Sequence, residues 1–220
     1  MLNLIMFSEQ LYSYLKQCGI RFTSSGYPIV PNEMLLTDPP EEIIPFHCRN
    51  GSRFPKAKTA LCTFTGDDRI YPRLAKLEED IPTYSEYKGF CGFDLSPRIT
   101  WDIRQQKFNI LLSQMTNIYL GLYGIKFYPN FRVGAWDTIN ALSAYPANSV
   151  FAVGALGCAK GATEFNIAYM RAKIMFTRPA LLLIYGSLIP AYKTVLDDIG
   201  VDYIVYDDFR KVCRNRKEAA

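Results

Sequence analysis

The sequence predicts an α/β fold of about six βα units, its strands forming a mainly parallel sheet in a barrel-like or partly wound arrangement. An irregular extension precedes these units. Three observations carry this expectation. From residue 58 onward a short apolar run, a polar or Gly-containing corner and a helical stretch recur in that order. The runs are continuously apolar rather than alternating, as parallel strands covered on both faces are. No unit carries a GxGxxG turn, so a dinucleotide-binding sheet is disfavoured against a barrel-like one.

The first run, 59–65, ends in Gly66-Asp67-Asp68, and residues 69–79 read as helical. The second, 89–93, ends in Asp94-Leu95-Ser96-Pro97. Ser96 followed by Pro97 reads as a helix start, because a hydroxyl caps the turn and proline's missing N–H costs nothing at the first helical position. The helix expected there is the longest, about 97–122. Phe108, Leu111, Leu112, Met115, Ile118, Tyr119 and Leu122 fall at three- and four-residue steps along it, and Gly124 ends it. The third run, 125–128, ends in Pro129-Asn130-Phe131-Arg132, with a helix expected over 136–144. The fourth, 149–153, ends in Gly154-Ala155-Leu156-Gly157-Cys158, with a helix over 163–177. The fifth, 180–185, ends in Gly186-Ser187, and Pro190 opens the next helix. The sixth, 202–206, ends in Asp207-Asp208.

The organisation follows from these elements. Residues 1–57 hold a short amphipathic helix (7–17) and a stretch with Pro28, Pro31, Pro39, Pro40 and Pro45, read as an extension packed on the core. Residues 58–209 form the α/β domain, and 210–220 a basic tail. A chain of 220 residues with 49% hydrophobic and 21% charged residues buries a sizeable core and is not disordered. The formal charge of +4 is the excess of Arg210, Lys211, Arg214, Arg216 and Lys217 over Glu218. The rest is neutral, so a basic nucleic-acid-binding face across the domain is not expected.

A single His, His47, excludes zincins, classical zinc fingers and other sites built on two imidazoles. The six cysteines include no CxxC pair, which disfavours a zinc ribbon. Reduced thiols in a bacterial cytoplasm are expected, with no signal peptide in the apolar start. The most apolar stretch, 180–189, is roughly half of what a bilayer helix needs, so no membrane contact is expected.

In parallel α/β proteins the loops leaving the carboxyl ends of the strands line the ligand crevice. The register above places Asp67, Asp68, Asp94, Ser96, Asn130, Arg132, Cys158, Tyr185, Ser187, Asp207 and Asp208 there. Asp94 leads as a base or nucleophile, because Ser96 already supplies the cap that an Asp at such a corner otherwise provides. Asp67 is its partner in catalysis or in holding a ligand. Arg132 suits a phosphate or carboxylate, or pairs with a neighbouring Asp. Asp67, Asp68 and Asp94 suit a divalent cation such as Mg²⁺ through carboxylate oxygens, or an acid–nucleophile pair for a glycosidic bond. The run from Gly154 to Gly161, with Lys160, resembles a phosphate-cradling corner but lacks the Ser or Thr of a P-loop. Trp101 and Trp136 are expected in the core or pocket wall.

Gly-Phe-Asp94-Leu-Ser96-Pro, the long helix with Trp101 near its start, Tyr-Gly124-Ile-Lys-Phe-Tyr-Pro129-Asn, Asn148-Ser-Val-Phe-Ala-Val-Gly154-Ala-Leu-Gly157 and Leu-Leu-Ile-Tyr185-Gly186 follow one another in a specific order. Over about residues 42–212 the chain thereby resembles a family of bacteria, prophages and phages catalogued as domain of unknown function 4417. The Asp67-Asp68 corner matches that family's pattern, whereas Asn130-Phe131-Arg132 stands where the family has a Ser-Trp or similar polar pair. The resemblance implies a phage or mobile-element setting and brings no activity with it. Two readings remain. One is a ligand-handling protein, an enzyme or a binder, that takes a nucleotide or nucleic-acid component. The other is a non-catalytic interaction protein that inhibits a host protein or accompanies DNA.

Overall fold

A computed structural model of the chain describes residues 3–154 and 164–209. The apolar runs form parallel strands. β1 (Glu42–Pro45), β2 (Thr59–Cys62), β3 (Gly89–Cys91) and β4 (Phe127–Tyr128) make one sheet in that order. β5 (Val150–Gly154), β6 (Leu181–Tyr185) and β7 (Tyr203–Tyr206) make a second. A parallel bridge between Asn130 and Ala152 joins them, Ala152 N–H donating to Pro129 O (2.8 Å) and Phe131 N–H to Ala152 O (2.9 Å). The succession therefore runs in space as in sequence. Among the described residues it does not close: β1 and β7 are not paired with each other, and between their ends the Tyr206 hydroxyl donates to Pro40 O at 2.8 Å.

Side-chain parity explains the barrel-like character. Ile43, Cys62, Cys91, Tyr128, Ala152 and Leu183 come from successive strands and pack together on one face. Their neighbours Ile44, Leu61, Phe90, Phe127, Phe151 and Leu182 belong to the other core, which the helices cover. Both faces are dry, hence the lack of alternation in the sequence. Cys62 and Cys91 are free and buried, and burial pushes both thiols up.

β1 is a seventh strand, in the stretch read as irregular. Prolines disguise it, yet an edge strand tolerates proline because its outer N–H groups need no partner; Pro45 pairs with Cys62 at the end of the ladder. α1 (Leu4–Gln17) begins earlier than expected, since Asn3 Oδ1 accepts from Ile5 and Met6 N–H. The first expected crossover helix is two, α2 (Asp67–Leu74) and α3 (Leu77–Tyr84). α4 (Ile103–Leu122) starts six residues later than Ser96-Pro97 suggested, as its cap is Asp102, accepting from Arg104 N–H at 2.8 Å. A 3₁₀ segment, Trp136–Ala144, follows β4. α5 (Glu164–Thr177) and α6 (Pro190–Ile199) lie where the sequence put helices.

Candidate functional site

The corner after β3 is extended chain held by side chains. Gly92 has φ +30°, and a Cβ there would meet Asn117 Nδ2 at 3.2 Å and the Asn130 backbone nitrogen at 3.3 Å, so glycine alone lets the chain leave β3 between α4 and β4. The next four main-chain N–H groups each find a different side chain. Phe93 donates to Asn117 Oδ1 (2.7 Å), Asp94 to Thr63 Oγ1 (2.8 Å), Leu95 to Ser113 Oγ (3.1 Å) and Ser96 to Asp67 Oδ1 (3.1 Å). Thr63 in turn donates to Gly92 O at 3.1 Å, and Asn109 Nδ2 to Ser96 O at 2.9 Å. A segment that would otherwise bury unpaired backbone groups is thereby satisfied and fixed.

Asp94 is presented by this frame. It is 6% exposed. Asn130 Nδ2 donates to its Oδ1 at 2.8 Å, and Arg132 Nη1 to its Oδ2 at 2.9 Å. Asn130 Oδ1 accepts from Arg132 N–H at 3.0 Å, which shapes the corner after β4 to aim the guanidinium at the carboxylate. The Arg132 side chain is 22% exposed, so the pair has a dry carboxylate end and a guanidinium end that reaches water. Burying the carboxylate is tolerable because both its oxygens are bonded.

A cavity of about 10 Å³, room for one water, lies beside this pair. Asp94, Ser113, Gln114, Asn130, Arg132 and Tyr145 are among its walls. Gln114 Nε2 donates to Ala141 O at 2.8 Å, while Gln114 Oε1 is a buried acceptor without a partner. Asp67 Oδ2 is another; its Oδ1 also accepts from Ser96 Oγ at 3.0 Å. The corner thus combines a bonded carboxylate, a guanidinium that reaches water on one side and two unfilled acceptors, an arrangement suited to a polar ligand bearing an anionic group and N–H or O–H donors.

Of the residues expected at the site, Asp67, Asp94, Ser96, Asn130 and Arg132 come together. Two premises change. Ser96 is no helix cap, and its hydroxyl instead donates to Asp67. Asp67, the first residue of α2, gives its helix no side-chain cap. Asp68 is exposed, as is Ser187. The Tyr185 hydroxyl accepts from Phe209 N–H at 2.8 Å in the inner core, where burial pushes the phenol up. Asp207 lines a separate cavity of about 20 Å³ with Glu42, Arg53, Tyr206 and Phe209, at the seam between β1 and β7. Cys158, Lys160 and the Gly157 corner, like the tail from Arg210, lie outside the described residues. Among the described residues no group of three or more His, Cys, Asp or Glu side chains is placed to hold a metal ion, so Asp67, Asp68 and Asp94 do not gather into one carboxylate cluster.

Thr63, Asn109, Ser113, Gln114 and Asn117 were missed by sequence reasoning. The signal was present: Gln106, Asn109, Ser113 and Asn117 recur at three- and four-residue steps along α4, a buried polar stripe beside the apolar one. Of the two places expected for Trp136, the core is excluded, since the ring is 42% exposed.

A family model described as Domain of unknown function (DUF4417) matches residues 23–206. The chain belongs to the DUF4417 family. The matched span begins before β1, so it includes much of the Pro-rich stretch as well as the Asp94 corner. No curated protein and no solved structure matches the chain. No helix among the described residues is long and apolar enough to cross a membrane.

Proposed function

We propose that this DUF4417 protein acts in a phage or mobile-element setting, in the cytoplasm of the bacterial host, where it binds or acts on a nucleotide or nucleic-acid component at the corner around Asp94. The observation that carries the reading is the fixed Asp94–Arg132–Asn130 constellation at the carboxyl ends of β3 and β4, beside a cavity with an unfilled acceptor. Ligand sites in parallel α/β proteins lie at that end of the strands. In this reading Arg132 clamps a phosphate through its exposed side, Asp94 orients the guanidinium and accepts from a ligand hydroxyl, and Gln114 Oε1 takes an N–H or O–H of the ligand.

The test is a thermal-shift series of ribo- and deoxyribonucleotides on the wild type and on Arg132→Ala. A ligand present at a hundred times its Kd stabilises by about 2.7 kcal/mol, a shift of several degrees. The expected result is such a shift for the wild type and none for Arg132→Ala. No shift with any nucleotide at millimolar concentration overturns the reading.

A second reading, a non-catalytic interaction protein that contacts a host protein, draws on Met175 and Phe176, exposed on α5 at 73% and 44%. It expects Asp94→Asn to leave biological function intact once the variant is shown to be folded.

A further inference from the structure

We infer that the ligand's base stacks outside the pocket, on an exposed aromatic platform formed by Trp136 and Phe165, which makes a base joined to a phosphate the chemical unit recognised. The inference rests on the nucleotide reading above and deepens it. Trp136 and Phe165 are 42% and 54% exposed, yet they are in edge contact with ring centroids 6.3 Å apart. Each also contacts Tyr169, at 4.7 and 6.2 Å. Trp136 stands four residues beyond Arg132 and Phe165 in the first turn of α5, so both rings lie on the carboxyl-end face of the strands.

The platform is rigid relative to Arg132. The Tyr169 hydroxyl donates to Gly134 O and Ala135 O at 2.9 and 3.1 Å, Ala135 N–H donates to Gln106 Oε1 at 2.7 Å, and Thr138 Oγ1 donates to Ala135 O at 2.7 Å. These bonds fix Tyr169 and the backbone before Trp136, and the two exposed rings pack on Tyr169, a surface built for contact. Charge selects the occupant. The neighbouring loop abuts here, since a Cβ on Gly134 would meet Pro97 O at 3.0 Å, and it carries Arg98, whose guanidinium lies over Trp101 at 5.1 Å. Two loops thus stand side by side, one carrying Arg98 over Trp101 and the other carrying Arg132, bonded to Asp94, four residues before Trp136. Asp137, near enough to Tyr169 to act on its phenol, turns an anion away from the rings themselves. An uncharged flat ring on the platform with its phosphate towards the arginines meets both conditions, and base–aromatic stacking beside cationic groups is the usual way single strands are held.

The experiment follows binding by isothermal titration and Trp fluorescence, using thymidine monophosphate, an oligothymidylate of about ten nucleotides and inorganic tripolyphosphate, which has no base. The proteins are the wild type, Trp136→Leu, Phe165→Leu and Arg132→Ala, each checked for a native fold by circular dichroism at the titration temperature. The expected result is a loss of about tenfold or more in thymidylate or oligonucleotide affinity for either platform variant. Tripolyphosphate binding stays unchanged in these and is lost in Arg132→Ala. If the monophosphate binds as tightly as the strand, the ligand is a free nucleotide; if the strand binds tighter, it is a single-stranded nucleic acid. Equal binding of base-bearing ligands to the wild type and both platform variants overturns the inference and leaves the pocket reading standing. No binding of any of the three probes to the wild type overturns both. Unchanged nucleotide affinity with an altered oligomeric state in the platform variants makes the patch an interface between copies and overturns the inference.

Discussion

The two halves of the strand succession carry similar residues at their carboxyl ends and use them differently. After β2, β3 and β4 the corner residues Asp67, Asp94, Asn130 and Arg132 converge, because α4 and Thr63 take up the backbone N–H groups that the corner leaves open. After β6 and β7 no such polar frame is present among the described residues. Tyr185 turns into the inner core, Ser187 faces solvent, and Asp207 lies at the seam with β1. A polar residue at the end of a strand therefore becomes part of a site only where neighbouring side chains satisfy the backbone around it.

The strongest way to break this contrast is to remove the frame. Asn117→Ala strips Phe93 N–H of its acceptor and opens a void in α4, which is buried at that point. The expected loss is about 2–4 kcal/mol, read by urea unfolding, because an unpaired buried donor and a cavity add. Next comes the ion pair. Asp94→Ala leaves Arg132 and Asn130 without their acceptor and should cost about 2–3 kcal/mol, whereas the double variant Asp94→Ala/Arg132→Ala should lose less than the sum of the singles. Additive losses in that cycle would mean that the two side chains do not interact in solution.

A pH scan reads both halves at once through the phenols buried in each. Burial holds the phenols of Tyr84, Tyr128, Tyr145 and Tyr185 above their ordinary value of 10.0. The folded chain then keeps these protons more tightly than the unfolded chain. Their contribution is complete below pH 10.0 and is lost as pH rises above it, so unfolding free energy should be flat in this respect up to that pH and fall beyond it. The smallest effects belong to the corners without a frame. Ser187→Ala and Asp68→Ala, both at exposed positions, should change stability by less than about 0.5 kcal/mol and leave ligand binding as it is.

The strands after residue 58 were legible because burial on both faces writes an unbroken apolar run, and the corner rule then named Asp94, Asn130 and Arg132. β1 was hidden by its prolines, which an edge strand tolerates and a sequence reader discounts. The start of α4 was hidden because Ser96-Pro97 carries every local mark of a helix cap, while the decisive partners, Asp67 and Asn109, come from elsewhere in the chain. The same long-range origin concealed Thr63 and Asn117. Polar residues on a helix normally face water, and only the tertiary fold turns this stripe inward.

The most direct test of the central claim is isothermal titration of a nucleotide into the wild type, Arg132→Ala and the distant control Ser187→Ala. The account predicts saturable binding to the wild type and to Ser187→Ala, and none to Arg132→Ala at an unchanged fold. Equal affinity of all three proteins would contradict it.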